Sequence, residues 1–281
     1  MKIIHLSDTH VGRHDNLQRL SRLIDTILAE PPAAPGQCCV VHTGDLIDRA
    51  EDSFRQQGKA QLDRLRDAGF RVVLCPGNHD YGNALGISSR AAADFRQHFA
   101  TYLFADAATE FPAVHRLDAQ TVLILLDSNE AEMGFYSRLF AEGNLGQAQL
   151  KRLNELLDTP EIRQGKVILA LHHHPFSDAD AATPDSGDGH FLHHLTVNLT
   201  RSFRRLKDAY SLCEIIRSRV DYLLFGHRHF GLNCSNQSQF YDIPCALDAG
   251  SSTATDRRSD RAYYRILDSE TGQLERKFLI F

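Results

Sequence analysis

The chain has 281 residues, of which 42% are hydrophobic and 24% charged, the make-up of a soluble enzyme or binding domain near the upper size for one core. Its formal charge of -5 argues against a dedicated binder of the nucleic-acid backbone, which carries a basic excess, but leaves room for a nuclease with a local basic groove. No apolar run approaches the ~20 residues that span a bilayer.

In chain order, Ile3 to Leu6 predicts a first strand, which ends at Asp8-Thr-His10. Its short apolar start lacks the long apolar region and cleavage site of a secretory leader. Asn16 to Ala29 predicts a helix, because Leu17, Leu20, Leu23, Ile24, Ile27 and Leu28 form one stripe and Pro31-Pro32 ends it. Cys38 to His42 predicts the second strand, followed by Gly44-Asp45. A helix is expected over Lys59 to Ala68, with Gly69 as its C-cap. The strand Arg71 to Cys75 then leads into Gly77-Asn78-His79-Asp80.

Thr121 to Leu126 reads as a further strand, and Gln147 to Leu157 as a helix with Leu150, Leu153, Leu156 and Leu157 at helical spacing. Val167 to Leu171 runs into His172-His173-His174-Pro175, and Val220 to Phe225 into Gly226-His227-Arg228-His229. Apolarity in these strands is continuous rather than alternating, as in α/β proteins whose strands are buried on both faces. Beyond them, Gln239 to Ala249 and Ala262 to Phe281 read as shorter strands of a mixed or antiparallel second sheet. There is no repeat and no linker, so one domain over residues 1–281 is expected. The six cysteines show no CxxC spacing, and a reduced, cytoplasmic protein is the expectation.

Each polar motif stands where an apolar run ends, so rigid elements hold its residues at the carboxyl edge of a sheet. Asp8 and His10 are two apart, as are His227 and His229, so an extended segment aims each pair to one side. Gly44, Gly77 and Gly226 stand at the strand exits, where a metal pocket requires sharp turns and close backbone approach. Carboxylate, amide and imidazole spread from residue 8 to residue 229 suit a dinuclear metal site. Two cations about 3.5–4 Å apart need a bridging anion, for which Asp45, alone at its strand end, is the natural candidate. The donor set favours Mn, Fe, Zn or Co over an all-oxygen Mg or Ca cage.

In order and in residue type, D-x-H, G-D, G-N-H-D, H-x-P and G-H-x-H resemble the calcineurin-like metallophosphoesterase superfamily over about the first four-fifths of the chain. The resemblance implies a four-layer α/β/β/α sandwich of two mixed β-sheets flanked by helices. It implies two divalent or mixed-valence metal ions, one held by Asp8, His10, Asp45 and His229, the other by Asp45, Asn78, His173 and His227. Three histidines precede Pro175, and the H-x-P spacing selects His173, with His172 and His174 flanking it. His79 is implied as the catalytic residue that meets the phosphoryl oxygen or leaving group, with Asp80 orienting it, while a hydroxide bridging the metals attacks phosphorus.

Met1-Lys-Ile-Ile-His-Leu-Ser-Asp-Thr-His-Val-Gly12, Gly44-Asp-Leu-Ile-Asp48, Leu126-Asp-Ser128 and Gly143-Asn-Leu-Gly-Gln147 look like the cyclic-nucleotide phosphodiesterase branch. A small phosphodiester, cyclic nucleotide or similar, is therefore the expected substrate, with neither nucleic acid nor membrane as a partner. A nuclease, a phosphomonoesterase and a non-catalytic interaction scaffold remain alternatives. The stretch from Ser177 to His190 is irregular, and a lid or insertion is expected over 177–210. His190, His193 and His194 follow it and could face the substrate. Asn83 could line the pocket. The basic run Arg201, Arg204, Arg205 and Lys207 reads as a solvated helix face, and His5, His42, His98 and His115 as packing or surface residues. An exposed strand near the C-terminus could pair two subunits into a homodimer.

Overall fold

The computed structural model describes residues 1–83, 86–105, 108–129, 142–176, 183–184, 206–229, 231–254 and 261–281. Two mixed sheets organise it. The first takes β1 (Lys2–Leu6), β2 (Cys38–His42), β3 (Arg71–Leu74), β13 (Arg261–Asp268) and β14 (Leu274–Ile280) in the order β14-β13-β1-β2-β3. Here β1, β2 and β3 run parallel, and β13 is antiparallel to β1. The second has seven strands in the order β6-β7-β8-β10-β12-β11-β9. They are β6 (Ala113–Arg116), β7 (Thr121–Leu125), β8 (Lys166–Ala170), β9 (Thr183–Pro184), β10 (Tyr222–Phe225), β11 (Leu232–Asn233) and β12 (Cys245–Asp248). Of these, β7, β8, β10 and β12 are parallel to one another. A small hairpin, β4 (Gly82–Asn83) with β5 (Gly86–Ile87), stands apart.

The unbroken apolar runs have a simple cause: these strands are buried on both faces, and in the second sheet alternate side chains enter different cores. Leu123, Leu125, Ile168, Ala170 and Leu224 join the core that contains the first sheet. Their neighbours Val122, Ile124, Val167, Leu169, Leu223 and Phe225 pack instead with Leu150, Leu153 and Leu157 of the helix Gln147–Leu157 and with Leu212 and Ile216 of the helix Ala209–Ile216. On the first sheet, α1 (Asn16–Ala29) buries Leu20, Leu23, Ile24 and Ile27, and α2 (Asp52–Asp67) buries Leu62 and Leu65. The result is the α/β/β/α sandwich.

Three sequence expectations change. The second helix begins at Asp52 rather than Lys59, because Gly58 lies on its buried face, where any Cβ would crowd Leu46 and Ile47. The stretch from Gln239 is not all strand, since Ser235–Phe240 is helical and β12 starts only at Cys245. Nor do the last strands make a sheet of their own: β12 extends the second sheet, while the β13–β14 hairpin returns to the free edge of β1. No helix among the described residues is long and apolar enough to cross a membrane.

Candidate metal centre

The parallel strands of each sheet end on one side of the molecule, and the polar motifs follow them there. Backbone hydrogen bonds tie the first two loops together: Asp8 N–H donates to Gly44 O at 3.0 Å, His10 N–H to Asp45 O at 3.0 Å and Val11 N–H to Leu46 O at 2.8 Å. The second sheet is joined to them by the His227 N–H, which donates to Asp8 Oδ2 at 2.9 Å. A side chain on Gly226 would collide with Ser7 Oγ and Asp8 Oδ2, so this close approach requires glycine there.

Among the described residues, nine non-glycines adopt positive φ, and five of them are Asp8, His10, Asp45, His227 and His229. Such a conformation costs of order 1–3 kcal/mol each and persists where surrounding structure imposes it, typically at functional sites. The left-handed turns bring the side chains to one place. Asp8, His10, Asp45 and His229 form one group of converging ligand atoms, and Asp45, His172 and His227 form a second.

The details fit a pair of cations. Asp8 Oδ2 accepts from Ser7 Oγ at 2.6 Å and from His227 N–H, while Oδ1 faces His229 Nε2 at 3.4 Å. Asp45 Oδ1 accepts from His79 N–H at 2.8 Å. Its Oδ2 lies 3.6 Å from His10 Nε2 and 3.4 Å from His172 Nε2, between the two groups. His10 Nε2 and His229 Nε2 are 3.0 Å apart, and His172 Nε2 and His227 Nδ1 are 3.1 Å apart. Two nitrogens bound tetrahedrally to one ion at ~2.0–2.1 Å stand about 3.3 Å from each other, so both pairs are spaced as ligands of a shared cation.

The tautomers agree. His172 Nδ1 lies 2.8 Å from the Thr43 carbonyl, which only accepts, so Nδ1 carries the proton and Nε2 is left for the cluster. That Nε2 is 3.1 Å from Asn78 Oδ1, two acceptor atoms that need a cation or a proton between them. Burial lowers the His172 pKa, but the Asp45 and Asp8 carboxylates outweigh it and raise the group to about 9. The same field draws a metal cation.

Two residues make contacts other than those expected from the sequence. His172, not His173, is the histidine of the triplet gathered with Asp45, Asn78 and His227. The His173 ring turns its Nδ1 to Ser128 Oγ at 2.8 Å, and His174 turns its Nδ1 toward Phe176 O. The strand β8 ends one residue earlier than the apolar run suggests, so the first histidine reaches the edge. Asp80 is fully buried, and its carboxylate serves backbone amides rather than the His79 ring. Its Oδ2 accepts from Asp45 N–H at 2.9 Å and Gly77 N–H at 2.8 Å, and its Oδ1 from Ile47 N–H at 3.1 Å, so it clamps the two ligand loops together.

His79 is oriented by a residue that sequence reasoning passed over. Its Nδ1 donates to the Asp48 carbonyl at 2.8 Å, which leaves Nε2 to face the site, and its ring meets the His10 ring edge-on at 4.6 Å. The Asp48 carboxylate in turn stands 3.6 Å from His10 Nδ1. Ser7 and Ser128 were likewise unassigned, although Ser7 adjoins Asp8 and Asp48 closes the Gly44-Asp-Leu-Ile-Asp48 run. His5 and His42 are buried packing groups bonded to Thr43 Oγ1 and Thr9 Oγ1, and burial pushes His42 down to about 3. His115 is buried against Leu103 O, and His98 is half-buried. Lys207 pairs with Glu142 at 3.3 Å. The expected lid over 177–210, with His190, His193, His194, Arg201, Arg204 and Arg205, lies almost wholly outside the described residues, as does the side chain of Asn83.

The sequence model of the family described as calcineurin-like phosphoesterase matches residues 1–231. A metallophosphoesterase of Bacillus subtilis, YkuE, is 32% identical over 111 residues, 37% of this chain and 37% of its own length. The DNA double-strand break repair protein Mre11 of Sulfolobus acidocaldarius is 32% identical over 91 residues, 28% of this chain and 22% of its own. The chain thus spans well under half the length of these curated relatives. A dimetal phosphatase from Danio rerio superposes with a TM-score of 0.62 at 14% identity, covering 100% of this chain and 99% of that one, a likeness of fold.

Proposed function

This chain belongs to the calcineurin-like phosphoesterase family, and we propose that it hydrolyses a small phosphodiester at a dinuclear metal centre. Asp8, His10, Asp45 and His229 would hold one ion, and Asp45, Asn78, His172 and His227 the other. The observation that carries this reading is the position of Asp45 Oδ2, 3.6 Å from an imidazole of one group and 3.4 Å from an imidazole of the other. A single carboxylate oxygen so placed suits a bridge. The mixed imidazole and carboxylate set suits Mn, Fe, Zn or Co. Bound there, such ions would activate water at neutral pH and neutralise charge on the phosphoryl oxygens.

The chain's own groups supply the rest. His79, half-buried at the mouth, has its Nδ1 proton fixed on the Asp48 carbonyl. Its Nε2 therefore faces the departing alkoxide and, when both ring nitrogens carry a proton, would hand it one and leave the neutral ring still bonded to Asp48, an effect of typically 10²–10⁴-fold. Asp80 keeps the Asp45 and Gly77 loops in register, and Ser7 and His227 N–H fix Asp8 so that Oδ1 faces inward. The resemblance of the motifs to the cyclic-nucleotide phosphodiesterase branch and the charge of -5 both favour a small diester over DNA.

Manganese-loaded protein offered an aryl phosphodiester, an aryl phosphomonoester, cyclic AMP and single-stranded DNA tests the proposal. Hydrolysis of the aryl diester and cyclic AMP with little action on DNA is expected. No diester turnover with any of Mn, Fe, Zn or Co would overturn it.

A further inference from the structure

The rim of the centre beside His79 is built from the loops that follow β1 and β2, and it carries groups that the chemistry above does not use. Arg49 follows Asp48, whose carbonyl holds His79. Its Nε forms long ion pairs with Asp48 Oδ2 at 3.8 Å and Glu51 Oε1 at 3.6 Å, and the side chain is 48% exposed. The guanidinium carbon lies over the Phe54 ring, 5.8 Å from its centroid. That ring is half-buried, and it is seated against Gly12, which has a φ of 101° and where any Cβ would run into the ring. Arg13, in the same turn, donates its N–H to His10 O at 3.0 Å, and its charge reaches the Asp48 carboxylate.

The Phe54 ring supports one side of the Arg49 guanidinium, and the 48% exposure of that side chain leaves part of it open to solvent. Planar groups, nucleobases above all, stack on a guanidinium, and the positive charge favours an anionic substrate at the same time. We infer that Arg49 beside Phe54 is a stacking shelf for a planar aromatic ring carried by the leaving group, so that the substrates this site prefers are phosphodiesters of a nucleoside or an aryl alcohol rather than of an aliphatic one. Arg49 directly follows Asp48, whose carbonyl holds His79, and Arg13 adds a second positive charge that is felt at the Asp48 carboxylate. This inference rests on the phosphodiesterase reading for its substrate, but the shelf itself is testable by binding.

The experiment uses the metal-loaded full chain with Arg49→Lys, which keeps the charge and loses the plane, and Phe54→Leu, which keeps the bulk and loses the ring. Steady-state kinetics compare bis(4-nitrophenyl) phosphate with glycerophosphoethanolamine, and calorimetry measures binding of adenosine 5′-monophosphate. Each variant is expected to raise KM for the aryl diester and weaken nucleotide binding about tenfold, the scale of one lost base-stacking partner. Both should leave kcat and the aliphatic diester within about twofold, since the chemical groups are untouched. Equal effects on the two diesters, or nucleotide binding indifferent to both changes, would overturn the shelf. If nucleotide binding weakens as expected while the unaltered chain hydrolyses neither diester, the shelf stands and the hydrolytic reading falls.

Discussion

The two sheets bring different chemistry to the centre. From the five-stranded sheet come the oxygen donors Asp8, Asp45 and Asn78, with the single imidazole of His10. From the seven-stranded sheet come imidazoles alone, those of His172, His227 and His229. The oxygen side is bound internally, loop to loop, by the backbone bonds between residues 8–11 and 44–46 and by the Asp80 clamp. The imidazole side reaches it through contacts between sheets, His227 N–H on Asp8 Oδ2 and His172 Nδ1–H on Thr43 O. Neither sheet presents a complete ligand set. A cation bound here would span the joint between the sheets, so metal binding would stabilise their packing.

The comparison is broken most severely at the one atom both groups share. Asp45→Ala should remove or misplace both metals and reduce diester turnover to background, read by metal analysis alongside the assay. Two metals retained in that variant would show that the oxygen side is not joined through Asp45. The imidazole side is sharpened by a pair of changes, His172→Ala and His173→Ala. The first should lose one of two metals and nearly all turnover, and the second should keep both metals, with a smaller loss of rate; the reverse pattern would restore the H-x-P assignment. His79→Ala, on the oxygen sheet but outside both ligand groups, should keep both metals and lose about 10²–10⁴-fold in kcat. A fall in its metal content would make His79 a ligand.

Much of this arrangement was legible in the chain. The strands at Cys38–His42 and Thr121–Leu125 and the helices at Asn16–Ala29 and Gln147–Leu157 follow directly from apolar runs and helical stripes. The ligand loops follow from polar motifs at strand ends. What stayed hidden depends on contacts distant in sequence. Nothing local shows that β13 pairs with β1, 266 residues away at the Lys2–Asp268 contact, rather than with β12. Among three adjacent histidines, spacing alone cannot show which ring the Thr43 carbonyl will orient. Asp80 looked like a partner of its neighbour His79, yet its carboxylate serves backbone amides at residues 45, 47 and 77. Asp48 was visible as part of a motif, but its carbonyl, which carries the role toward His79, has no sequence signature.

The most direct test of a centre shared between the sheets is anomalous scattering at the manganese edge from crystals grown with manganese. Two peaks about 3.5–4 Å apart are predicted, one on each side of the Asp45 carboxylate, with His10 and His229 at the first and His172 and His227 at the second. A single peak, or two peaks that leave Asp45 on one metal only, would contradict the account.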